Sequence, residues 1–174
     1  MKYANIFLGS GYTLFEYKYS NERSNMENVE IKKLSTADLN QFIELVRVFE
    51  DVFEMKNFQM PNQNYLQSLL SRDDFFVFVS ISQNQVIGGL TAYTLRQYYS
   101  EKPLVYIFDL AVLTKYQRQG IGKSLIEEIN VYCKKMGAEE VFVQADLVDD
   151  YALDFYRATG GLPEEVIHFT YPLN

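Results

Sequence analysis

Val105-Tyr-Ile-Phe-Asp-Leu-Ala-Val-Leu-Thr-Lys-Tyr-Gln-Arg-Gln-Gly-Ile-Gly-Lys-Ser-Leu125 reads as a buried strand, a short basic loop with two glycines, and the first turn of a helix. The apolar positions of that helix are Leu125, Ile126, Ile129 and Val131. A strand that enters a helix through glycines makes an anion site. The first helical N–H groups lack intrahelical partners, the helix dipole favours negative charge there, and glycine allows close approach to the backbone. Lys115, Arg118 and Lys123 add positive charge. Two phosphate-binding motifs fail on these residues. A Walker A loop requires glycine where Gln117 stands, although Gly122-Lys123-Ser124 matches its tail. A dinucleotide fingerprint requires a third glycine where Leu125 stands, and the loop is too long for its tight turn.

The rest of the chain sets bounds on what such a site serves. At 174 residues it is long enough for one domain with a sizeable core, and 48% apolar with 16% aromatic content argues against disorder. A net charge of −7 disfavours nucleic acid and suits a cationic substrate. The single Cys133 excludes an intrachain disulfide and is expected to be a buried, inert thiol. With one histidine, His168, no His-rich metal site is expected, and no metal is. No apolar run has the length of a membrane span, so a cytoplasmic protein with no membrane partner is expected.

Hydrophobic periodicity predicts the following order. Residues 1–25 are read as an extension of unknown role, with a candidate hairpin about Gly9-Ser10-Gly11, ahead of a single domain over 26–174. A strand over Val29 to Leu34 leads to a helix capped by Ser35 or Thr36 and running to about Glu54. Its polar face carries Glu50, Asp51 and Glu54, a solvated face from which Glu54 is a candidate substrate contact. A short helix follows Pro61, then a hairpin of strands Phe75 to Ile81 and Val86 to Leu95, the central strand Leu104 to Val112, and a helix from about Gly122 to Met136 ended by Gly137. A strand over Glu140 to Ala145, a helix from Asp149 or Asp150 to about Thr159, and a last strand over Val166 to Tyr171 complete the chain. This order indicates an α/β fold with a mixed sheet flanked by helices.

Gln117-Arg118-Gln119-Gly120-Ile121-Gly122 and Ala152-Leu153-Asp154-Phe155-Tyr156-Arg157-Ala158-Thr159-Gly160, in that element order, resemble the GNAT acyltransferase superfamily. More narrowly, Val86 to Leu95, Tyr106 to Val112, Gln117 to Ile126, Val143 to Asp146 with Asp149-Asp150, and Glu164 to Phe169 resemble the aminoglycoside 3-N-acetyltransferases. The resemblance implies a mostly antiparallel sheet splayed between two central strands, here Leu104 to Val112 and Glu140 to Ala145, with acetyl-CoA as co-substrate in the gap. It implies that Gln117, Arg118, Gln119, Gly120, Ile121, Gly122, Lys123 and Ser124 cradle the pyrophosphate. Leu110, Ala111 and Val112 would lie along the pantetheine arm, with a backbone N–H near Leu110 facing the thioester oxygen. Tyr156 would sit near the sulfur as general acid.

Acetyl transfer to an amine also requires a proton acceptor, because an alkyl ammonium with pKa near ~10.4 holds its proton at neutral pH. Asp109 is the candidate base, a charged residue in an otherwise apolar strand. Its ordinary alternative is a carboxylate satisfied by backbone donors or a salt bridge. Strand alternation places Asp109 and Ala111 on one face, Phe108 and Leu110 on the other. Asp146, Asp149 and Asp150 follow the next strand's end and are candidate contacts for a polycationic substrate, although one of the last two is expected to cap the helix instead. Three functions remain open: an aminoglycoside acetyltransferase, an acetyltransferase of polyamines or other small amines, and a non-catalytic acetyl-CoA-binding module. A homodimer is a possible assembly.

Overall fold

The computed structural model describes residues 29–173 together with the strands β1 (Phe7–Leu8) and β2 (Tyr12–Thr13). β1 and β2 pair antiparallel on either side of Gly9 to Gly11, as the hairpin reading expects; the rest of the expected extension lies outside the described residues. The chain divides into two compact units, Met1–Phe142 and Val143–Asn174.

The first unit is built on the sheet β3 (Glu30–Lys33), β4 (Phe75–Ser82), β5 (Gln85–Leu95), β6 (Leu104–Val112) and β7 (Glu140–Val143), in that spatial order. The first three pairings are antiparallel, so the sheet is mostly antiparallel. β4 and β5 join through Gln83 and Asn84, both at positive φ (50° and 61°), the backbone that matches the twist of paired strands. Both faces of β4 are covered, which is why it reads as one apolar run.

On one face lies α1 (Leu39–Val52), whose Phe42, Leu45, Val48 and Phe49 are buried against Phe75, Val77, Val79 and Ala111, with α2 (Gln63–Leu70) adding Leu66 and Leu70. α1 sits almost on the backbone of β5. A Cβ on Gly89 would stand 2.4 Å from the Phe78 carbonyl oxygen and 2.8 Å from Leu45 Cδ1, so only glycine permits this approach. The opposite face carries α3 (Ile121–Lys135): Leu125, Ile129 and Cys133 are buried, and the Tyr132 ring packs on Phe76 and Phe78. Burial pushes the Cys133 thiol up to about 11, which leaves it inert as expected.

Three local expectations are corrected. The N-cap of α1 is Asp38 rather than Ser35 or Thr36. Ser35 instead donates its N–H (2.8 Å) and hydroxyl (2.7 Å) to the Asp38 carboxylate, which also accepts from Lys32 at 2.7 Å, so this acid ties strand end to helix start. In β6 the regular alternation fails. Thr91 opposes Asp109 and Ala92 opposes Ile107, which leaves Phe108 as the extra residue of a bulge. Phe108 therefore turns to the Tyr93 and Tyr106 rings, the face shared by Asp109 and Ala111, instead of the face of Leu110.

The third correction lies in the second unit. There α4 (Asp150–Ala158) is capped by Asp149, whose side chain accepts from Ala152 N at 2.9 Å, and is ended by Gly160 at φ +92°. Val166 to Tyr171 is not a strand. Its apolar alternation is that of a strand, but a strand exists only by pairing, and among the described residues it has no strand partner; Ile167 and Phe169 stay exposed.

Candidate active site

After Val112 the chain makes one 3-10 turn (Thr114–Tyr116) and then the glycine loop. Two side chains brace that loop from within: Gln117 Nε2 donates to the Val112 carbonyl at 2.9 Å and Gln119 Nε2 to the Lys115 carbonyl at 3.1 Å. Arg118 and Gly120 take positive φ (59° and 83°), and at Gly120 nothing stands within 4 Å of where a Cβ would be, so its backbone faces open space. Gly120 is the N-cap of α3 and has no side chain to cap it; the first turn holds no acid. The N–H groups of Ile121, Gly122 and Lys123 thus meet no side-chain cap, at the positive end of a 15-residue helix. A cleft of about 230 Å³, lined by Val29, Ile31, Gln119, Gly120, Ile121 and Ser124, opens beside them. This arrangement has the chemistry of a phosphate or pyrophosphate site, and Lys115, Arg118 and Lys123 place positive charge on and beside the loop, Lys123 with Glu127 at 3.7 Å.

Upstream on β6, Leu110 is half-buried and Ala111 and Val112 are buried. Asp109 is half-buried opposite the buried Thr91, and burial raises its carboxyl above the usual carboxylate range. A raised carboxyl inside an apolar strand is suited to taking a proton. Around it runs a row of rings that the sequence pattern does not single out. Centroids are 4.9 Å apart for Phe75 and Tyr93, 5.8 Å for Tyr93 and Phe108, 5.9 Å for Phe108 and Tyr106, and 5.0 Å for Tyr106 and Phe142. Burial also pushes the Tyr93 hydroxyl up. The signal that finds this row is the bulge, which only the pairing register reveals. Glu54 is exposed just past the end of α1, at φ 49°.

The other expected residues belong to the second unit. Asp149 is committed to its cap and, through its N–H, to the Asp146 carbonyl at 3.0 Å, which leaves the exposed carboxylates of Asp146 and Asp150 for other contacts. Tyr156 is half-buried on α4 with its ring against Phe155 (5.0 Å), and its carbonyl accepts from Gly161 N at 2.9 Å. Thr159 also donates to that carbonyl through its N–H (3.2 Å) and its hydroxyl (3.0 Å), so the helix end closes on the Tyr156 carbonyl.

The glycine loop at a strand-to-helix junction beside a mostly antiparallel sheet is the arrangement that the acyltransferase resemblance implies. The match of the Acetyltransferase (GNAT) family to residues 40–160 places the chain in that family, and it is an N-acetyltransferase. A crystal structure of the aminoglycoside acetyltransferase meta-AAC0020, from an uncultured soil metagenomic sample and in complex with sisomicin, is 56% identical, covers 84% of this chain and 97% of its own, and superposes with a TM-score of 0.82. The aminoglycoside N-acetyltransferase AAC(6')-Iy in complex with CoA shares the fold at 16% identity and a TM-score of 0.68, over 83% of this chain and 95% of its own. N-acetyltransferase family 8 member 3 of Mus musculus is 22% identical over 60% of this chain, which spans only 46% of that protein's length.

Proposed function

We propose that this enzyme transfers the acetyl group of acetyl-CoA to an amine of an aminoglycoside, at the 3-amino group. The observation that carries the reading is the 56% identity, over 97% of its length, to an aminoglycoside acetyltransferase crystallised with sisomicin. The choice of the 3-amino group rests on the segment resemblances given above, and the net charge of −7 accords with a polycationic acceptor.

When bound, acetyl-CoA supplies an acetyl group activated as a thioester. In the transfer one N–C bond forms, one C–S bond breaks, and the ammonium nitrogen loses two protons, one that passes by way of Asp109 to the medium and one that restores Tyr156 after it has protonated the departing sulfur. Gln117 to Ser124 hold the pyrophosphate on the N–H groups of α3, and Leu110 to Val112 line the arm. The N–H near Leu110 donates to the carbonyl oxygen as charge builds on it. Asp109 accepts the ammonium proton, directly or through water, and Tyr156 gives its proton to the sulfur. Asp146 and Asp150, with Glu54, draw in the remaining ammonium groups, while Asp149 serves its helix. The reading includes a cytoplasmic location and a homodimer.

The test is thiol release from acetyl-CoA across sisomicin, spermidine and a short peptide, with mass and NMR analysis of the product to locate the acetyl group. Turnover of sisomicin with acetylation at the 3-amino group is expected. Turnover of spermidine alone would replace the substrate class, acetylation at another amino group would replace the position, and cofactor binding without any turnover would leave a binding module.

A further inference from the structure

We propose that Phe108, lifted by the β6 bulge into the aromatic row, is the stacking surface for the sugar ring whose amine is acetylated, so that the site selects aminated rings over linear amines. This rests on the functional reading above and names its substrate class more narrowly. Phe108 stands in the middle of a strand whose neighbours Ile107 and Ala111 are buried, yet it is 57% exposed. A bulge turns it out of the regular alternation, toward the face that carries Asp109. Its ring meets Tyr93 at 75° and Tyr106 at 79°, so neither neighbour stacks flat against it. The row continues to Phe142, which stacks on Tyr106 at 24°, and so forms a shelf several rings long beside one carboxylate.

That surface has a chemical counterpart. An aminated sugar presents a flat apolar C–H face with ammonium groups at its edge; the face packs on an aromatic ring while an edge ammonium is drawn to the ring quadrupole and to Asp109. A linear polyamine has the charges and no such face, and gains from the rings only at single points.

The experiment measures KM for sisomicin, KM for acetyl-CoA and the inhibition constant of spermidine as a competitor of sisomicin, in the parent, Phe108→Ala, Phe108→Leu and Phe108→Tyr. Phe108→Ala is expected to raise the sisomicin KM roughly 2- to 13-fold through loss of the face contact. Phe108→Leu, which keeps apolar bulk without the π face, should follow Phe108→Ala, and Phe108→Tyr should recover affinity. Neither the acetyl-CoA KM nor the spermidine constant should move by more than about twofold. A parental sisomicin KM in Phe108→Ala or Phe108→Leu overturns the stacking surface while the acetyltransferase reading stands. An equal weakening of spermidine overturns the ring selectivity. A parent that does not acetylate sisomicin at all overturns the substrate reading itself and this inference with it.

Discussion

Asp109→Asn separates a base from a structural carboxylate, because the two roles move activity and stability in different directions. Burial raises this carboxyl above its ordinary value of 3.8. For an acid raised in the folded state, the contribution to stability is complete below the unfolded pKa and declines as pH rises through the folded one. Where Asp109 is ionised it therefore weakens the fold, and Asn, which carries no charge, relieves it. The melting temperature of Asp109→Asn is expected to equal or exceed the parent's at about pH 7 and to lose that advantage toward about pH 4. Turnover should fall by roughly 10²- to 10⁴-fold with loss of a general base, and the rise of rate with pH should flatten. The sisomicin KM should change by less than about fivefold, the range of a partly solvated ion pair. Thiol release across a pH series and thermal melts of the same preparations check both limbs. Turnover within about twofold of the parent refutes the base. A lower melting temperature at pH 7 refutes the burial argument, since it would mean that Asp109 holds the strand together through bonds to its charged form.

Three further substitutions probe other links. Tyr156→Phe keeps the ring and removes the hydroxyl, so turnover should drop by at least about tenfold with less change in the acetyl-CoA KM; parental kinetics would reduce Tyr156 to packing. Asp38 is held at about 2 by hydrogen bonds from Lys32 and Ser35. Asp38→Asn should thus cost about 1–2 kcal/mol at pH 7 after discounting for the partly exposed Lys32, a difference that shrinks as pH falls from about 4 through about 2, read from urea midpoints. Gly89→Ala would force a methyl against Phe78 O and Leu45, and should cost about 2–3 kcal/mol, a melting-temperature fall of roughly 4–12 °C; an unchanged melt would mean that α1 shifts freely on the sheet.

The elements most legible in the sequence are those whose signal is local. The two-residue turn at Gln83-Asn84, the stop at Gly137 and the loop at Gly120 each follow from a backbone that few residues adopt, and all three lie where the pattern puts them. The start of α1 is less legible, because Ser35, Thr36 and Asp38 are all good caps and the choice depends on Lys32, which reaches Asp38 from the preceding strand. Val166 to Tyr171 shows the opposite failure. Its composition suits a strand as well as Phe75 to Ile81 does, but pairing is a long-range property and composition carries no information on it.

The same distinction runs through the site. An anion site needs only glycines, basic residues and a helix start close together in the chain, so Gln117 to Ser124 stand out as a candidate without the fold. The acceptor surface instead depends on register. One unpaired residue in β6 moves Phe108 to the face of Asp109 and sets its ring against both Tyr93 of β5 and Tyr106 of β6, which oppose each other across the two strands. Without the bulge, Phe108 would follow Leu110 toward α3, and Asp109 would stand beside the core packing of α1 with no flat surface adjoining it. A single extra residue in the strand thus does two things at once. It keeps the downstream half, Asp109 to Val112, in register with β5 and leading into the glycine loop, and it turns a ring outward onto the surface proposed for the substrate. Strand periodicity, which assumes no insertion, is blind to that step, and for this reason the proposed cofactor half of the site is visible in the sequence while the proposed acceptor half needs the fold.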